Sequence, residues 1–169
     1  MRKIIPILFV FTLISCNKQT DQTQALQKRV DSLEKKVSES YKPGFGEFMS
    51  GIQVHHNKLW FAGQNENWKL ADFEIHEIME AIDNIKKYQK DRKESEMIDM
   101  LNPALDNLNI AIEKQDPKLF KSSFISLTNT CNTCHRKTEF EFNVVKIPNQ
   151  PPFSNQDFRN QLEKNKGDN

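Results

Sequence analysis

Cysteine is scarce in this chain of 169 residues: there are three, Cys16, Cys131 and Cys134. A zinc finger or ribbon needs four ligands, usually as two pairs, and beyond Cys131 and Cys134 only Cys16 could contribute a thiolate. Glycine is also scarce, at 5 residues, and β-branched residues seldom alternate with polar ones. Strands are therefore disfavoured and helices favoured. The strand–helix alternation that houses a thioredoxin-like dithiol is missing. Charge of one sign is not in excess: 24 Lys+Arg face 23 Asp+Glu, a formal net charge of +1. No basic surplus of the kind that nucleic acid demands is present. Finally, the longest apolar stretch, residues 4–14, is too short to span a membrane.

What is present is Cys131-Asn132-Thr133-Cys134-His135. This is Cys-x-x-Cys-His, the attachment signature of c-type haem. The spacing suits the chemistry. Two thiols three apart on a helix lie on one face, so both can reach the vinyl groups of one porphyrin. The imidazole that follows can bind the iron from below. The expectation is one covalently bound haem c, with Cys131 and Cys134 as attachment points and His135 as proximal metal ligand.

The N-terminus reads as a targeting segment. Arg2 and Lys3 precede the short apolar stretch, and Leu13-Ile14-Ser15-Cys16 follows it. That tetrapeptide resembles the lipobox of bacterial lipoproteins, which implies cleavage before Cys16 and acylation of its sulfur. Residues 1–15 are then a lipoprotein signal peptide. Acyl chains anchor a protein by burying their methylenes in a bilayer. This assignment consumes the last cysteine and leaves none for a structural disulfide. Haem attachment of this type takes place outside the cytoplasm, so leader and motif agree. The chain is expected in the cell envelope, facing the periplasm from a membrane.

Hydrophobic periodicity organises the rest. Residues 16–43 read as a polar tether over 17–24 followed by a short stalk. Leu26, Val30, Leu33 and Val37 recur there at heptad-like steps over about two heptads. Pro43-Gly44 and Gly46 break the stalk from a domain over 44–139. Its first helix is expected over 45–62, ended by Gly63. The second follows Asn65 or Asn67 and runs to about residue 90. A charged connection over 91–96 leads to a third helix over 97–114. There Pro103 either kinks the helix or marks its true start, with Asn102 as cap. The fourth opens on Asp116 as N-cap with Pro117 in first position, and carries the haem motif near its end. Four amphipathic helices with short connections predict an all-α, up-down four-helix bundle. Residues 140–169 are apolar at Phe140, Phe142, Val144, Val145 and Ile147 and rigid at Pro148, Pro151 and Pro152. They read as an extended C-terminal tail strapped over the bundle, with 161–169 disordered.

The chain resembles the cytochrome c-prime family and its six-coordinate relatives, the cytochromes c-556, over residues 45–138. The likeness is carried by Cys131, Cys134 and His135 on a fourth helix. It implies single-electron transfer where the iron has two protein ligands. Where the distal side is open, it implies binding of nitric oxide or carbon monoxide. In the c-556 type a methionine early in the first helix is the distal ligand, and Met49 stands at that place. The long tail and a first helix without arginine depart from the family, and the stalk and lipid anchor are additions.

The distal side of the iron decides function. Met49 is a thioether donor on the apolar face of the first helix and completes the expected metal site. Methionine is also a common core filler. Of the adjacent pair His55 and His56, one must point close to the inward face. It would ligate iron, line the pocket as a proton donor, or simply pack. His76 reads as solvated, and Met79, Met97 and Met100 as core. Trp60 and Trp68 flank the first turn as packing residues or as a wall of the haem pocket. Lys86, Lys87, Lys90, Arg92 and Lys93 form a basic cluster, either a solvated helix end or a docking surface for an acidic redox partner. The expected function is electron transfer between periplasmic redox partners, without catalytic residues of its own. Gas binding is the alternative and peroxidase activity a distant third. Stalk pairing or bundle pairing would give a homodimer.

Overall fold

The computed structural model describes residues 15–40 and 43–160. Over these residues the chain is all-helical and contains no strand. It divides into two compact units, Met1–Lys42 and Pro43–Asn169. The expected leader falls almost wholly outside the described residues, and the expected disorder over 161–169 falls outside them altogether. No described helix is long and apolar enough to cross a membrane.

Among its described residues the first unit contributes one helix, α1 (Ser15–Ser40). The stretch expected as a tether, 17–24, is part of this helix. The stretch between Ser15 and Ser40 has neither glycine nor proline, so no helix breaker interrupts propagation. Residues 21–37 are exposed throughout.

The second unit comprises α2 (Phe45–Gln64), α3 (Trp68–Tyr88), α4 (Lys93–Met97), a 3-10 turn (Ile98–Leu101), α5 (Asn102–Glu113) and α6 (Pro117–Lys137). Helix α2 packs on α3, α3 on α5, α5 on α6 and α6 back on α2. The shared core collects one stripe from each: Leu59 and Ala62; Ala71, Ile75, Ile78, Ile82 and Ile85; Leu105, Leu108 and Ile112; Phe120, Phe124 and Leu127. The steps of three and four within each set are what a helix needs to bury one face. Each large apolar side chain buried contributes roughly 1.5–3 kcal/mol.

Two helix starts follow the sequence reading. Asn67 Oδ1 accepts from the Leu70 amide at 3.3 Å. Asp116 Oδ1 accepts from the amides of Lys118 and Leu119 at 2.9 and 3.0 Å, with Pro117 opening α6. The third expected helix is corrected. Residues 93–97 form α4, which begins within the supposed connection, the 3-10 turn intervenes, and Pro103 lies in the first turn of α5. Proline has no amide to lose there, so it marks a start rather than a kink. Asn102 is not a cap: it is already helical, and its Nδ2 donates to Asp99 Oδ1.

Gly63 is also corrected. It does not end α2 but lies within it, buried, with the Phe120 ring pressed where a Cβ would stand. Helix α2 runs on to Gln64 and is closed off two residues later by Glu66, with φ 53°; Gln115 (φ 53°) and Glu139 (φ 68°) follow α5 and α6 in the same left-handed conformation. Behind each, an amide reaches five residues back: Asn67 to the Ala62 carbonyl, Asp116 to Ala111, Phe140 to His135. This is the Schellman closure, made here without glycine. Glycine is spent on close packing. Phe120 is fully buried and also contacts Trp60 and Trp68, so the ring has no room to retreat. Gly63→Ala gains helix propensity of about 1 kcal/mol but overpacks the core by about 1–3 kcal/mol. The expected outcome is a net loss of about 1 kcal/mol in urea unfolding.

Candidate functional site

Three contacts fix how α2 lies on α6. Phe120 covers Gly63, the Trp60 and Phe124 rings sit 4.8 Å apart, and His56 Nε2 meets Thr128 Oγ1 at 2.9 Å. The α2 numbers fall as the α6 numbers rise, so the helices are antiparallel. Seven more residues make two turns, about 10 Å, on the same stripe. That step leads from His56 to Met49 on α2 and from Thr128 to His135 on α6. The register thus brings Met49 to the level of His135, at the end of the unit where Cys131 and Cys134 lie. Met49 and Cys131 are both half-buried and packed on the core.

Cys134 is buried and Cys131 partly so. Burial pushes the Cys131 thiol up to about 12, with Cys134 adding to the effect. Burial raises Cys134 as well, against a lowering by Lys137. Both remain thiols at neutral pH.

His135 Nδ1 lies 2.6 Å from the carbonyl oxygen of Asn143. A carbonyl only accepts, so Nδ1 carries the proton. In the neutral imidazole the lone pair is then on Nε2, the arrangement that metal-binding histidines adopt when their other nitrogen donates to backbone. Asn143 belongs to a stretch without regular structure that follows α6. Asn132, inside the Cys-x-x-Cys-His motif, holds that stretch in place. Its Nδ2 donates to the Val145 carbonyl at 2.7 Å and its Oδ1 accepts the Val145 amide at 2.8 Å. The stretch continues as a strap to the opposite end of α2. There Asn67 Nδ2 donates to the Phe158 carbonyl at 3.3 Å, and the buried Phe158 ring packs 5.8 Å from Phe61. Beside the motif, Phe140, Phe142 and Val144 present apolar surface to solvent.

The two histidines of α2 are committed elsewhere. His55 Nδ1 pairs at 2.6 Å with Oε2 of Glu74, a fully buried carboxylate whose Oε1 lies 3.7 Å from Lys58. His56 is buried and bonded to Thr128, whose hydroxyl donates to the Phe124 carbonyl. The hydroxyl has one proton, so it accepts from His56 Nε2–H. Burial lowers the His56 pKa from 6.5 to about 4 and keeps it neutral. His76 is exposed, with Nδ1 2.7 Å from the Asp72 carbonyl oxygen.

Trp60 and Trp68 surround Phe120 at the α2–α3 turn. Phe124, the partner of Trp60, is eleven residues or about 16 Å along α6 from His135. They are core residues and do not wall the motif. The basic cluster is largely neutralised: Lys86 pairs with Asp99, Arg92 with Glu94 and Lys93 with Glu139. Arg92 also lies over the Phe45 ring, one turn from Met49, which brings an arginine near the start of α2 that the α2 sequence itself does not supply.

Among the described residues no group of three or more His, Cys, Asp or Glu side chains is arranged to hold a metal ion. The donor set suits an iron already held by four porphyrin nitrogens, to which a protein adds one or two axial ligands. Cys16 is in α1, where only its backbone is described. Sequence reasoning missed Asn132 and Asn143. Asn132 was visible as an amide, carrying the donor and acceptor that match one backbone unit. Asn143 acts through its carbonyl, which every residue has. No protein-family model, no curated protein and no solved structure matches the chain.

Two outcomes follow. Asn132→Ala removes both clamp bonds, and the Val145 amide is expected to exchange with deuterated solvent at least tenfold faster, while the core amides of α6 keep their rates. For His56 the folded pKa lies below the unfolded value. Its contribution is present above pH 6.5 and lost as pH falls towards 4, when the unfolded chain takes up a proton that the folded chain refuses. Unfolding stability is expected to drop by about 3 kcal/mol more across that window than in His56→Gln, measured by urea titration at each pH.

Proposed function

We propose that the chain is a c-type cytochrome. More particularly, it is a monohaem electron carrier, lipid-anchored through Cys16 and facing the periplasm. Cys131 and Cys134 bear the haem, His135 is the proximal ligand and Met49 the distal one. The observation that carries this reading is the Nδ1–H bond from His135 to the Asn143 carbonyl, next to two thiols on one helical face. It orients a free Nε2 at the position the motif requires.

The cycle of contacts among α2, α3, α5 and α6, with α2 antiparallel to α6, supports an up-down four-helix bundle of the cytochrome c-prime and c-556 kind. Met49 is the distal ligand because the register levels it with His135. His55 and His56, by contrast, are held by Glu74 and Thr128. Bound haem supplies one-electron chemistry, and a His/Met pair raises its reduction potential. The chain itself orients the imidazole through Asn143 and packs Met49 against the core. It has no substrate chemistry of its own, and its partners are redox proteins of the same compartment.

An optical and EPR spectrum of the haem-loaded protein, in both oxidation states and with carbon monoxide, tests this. Low-spin iron indifferent to carbon monoxide is expected, with Met49→Ala turning it high-spin and gas-binding. High-spin iron that takes up carbon monoxide in the unaltered chain would overturn the Met49 assignment and leave a gas-binding protein. Absence of covalent haem after expression with the attachment machinery would overturn the reading entirely.

A further inference from the structure

Helix α1 is exposed on every face over residues 21–37, yet it carries an apolar stripe. Leu26, Val30, Leu33 and Val37 are 63%, 44%, 51% and 66% exposed. A lone helix gains nothing from such a stripe, since helical stability in proteins comes mostly from packing an apolar face. The spacing settles the heptad: Leu26 and Leu33 fall at d, Val30 and Val37 at a. A β-branched residue at a with leucine at d is the combination that favours two parallel strands.

The flanking charges point the same way. Arg29 and Lys36 occupy g positions and Glu34 an e position. In a parallel pair, g of one helix faces e of the next heptad on its partner, so Arg29 faces Glu34 twice, once on each side. In an antiparallel pair g faces g, and cation would face cation. The a series extended towards the N-terminus, through 23, reaches 16. Two parallel copies therefore start together at the position of the proposed lipid anchor.

We propose that α1 is the dimerisation element of this protein, forming a parallel two-stranded coiled coil with α1 of a second copy. The inference does not depend on haem, because it concerns only residues 26–37.

The test is sedimentation equilibrium of the full chain in mild detergent, with Arg29→Glu, Glu34→Arg, the double exchange and Leu33→Lys. These positions are exposed, so circular dichroism of each variant is expected to retain the helices of the Pro43–Asn169 unit. A dimer is expected. Each single charge reversal should weaken it about tenfold, the double exchange should restore it to within about twofold, and Leu33→Lys should abolish it. A monomer at all concentrations overturns the proposal. So does a trimer, or a dimer indifferent to all four variants, which would pair through another surface. A dimer strengthened by Arg29→Glu overturns the parallel arrangement.

Discussion

The second unit depends on the register between α2 and α6. A phenyl ring over a backbone without Cβ, an indole against a second phenyl, and an imidazole on a hydroxyl set it in three successive turns. Each aromatic pair adds about 0.5–1.5 kcal/mol beyond its buried area. Their value here is positional. A slip by one turn would take the Phe120 ring off Gly63, where the missing Cβ makes room for it. The same slip would leave Thr128 without an imidazole. Everything at the far end, including the level shared by Met49 and His135, inherits its placement from these contacts.

Helix α2 is pinned from two sides by neighbouring residues. His55 turns to the buried Glu74 carboxylate on α3, and His56 turns to Thr128 on α6. Successive side chains on a helix point about 100° apart, so one dipeptide reaches two neighbours. Buried polar groups of this kind add little net stability, because desolvation offsets much of the attraction. They do penalise every arrangement that leaves them unpaired.

Periodicity and punctuation made much of this legible. The stripes of α3 and α6, the cap at Asp116 and Pro117, and the place of the Cys-x-x-Cys-His motif near the end of a helix can all be read from spacing alone. The errors share a cause. Gly63 looked like a terminator because glycine suits a left-handed turn, and Phe120, fifty-seven residues away, could not be seen beside it. The charges of α4 suggested a loop, yet Arg92–Glu94 and Lys93–Glu139 pairs accompany a helical turn there. The tryptophans bordered the correct turn but stand at the opposite end from the motif. A carbonyl that orients an imidazole leaves no trace in residue identity, so Asn143 could be found only in three dimensions.

The strap also bears on the order in which the site is completed. Asn143 and Val145 are made after every residue of the helices, and they are locked by an amide that the ribosome released earlier. The imidazole of His135 is therefore free to choose either tautomer during most of synthesis. Its choice is made by a stretch of chain that appears after the motif is complete. A product cut short before residue 143 would contain all six described helices and both thiols of the motif while lacking the group that aims the imidazole.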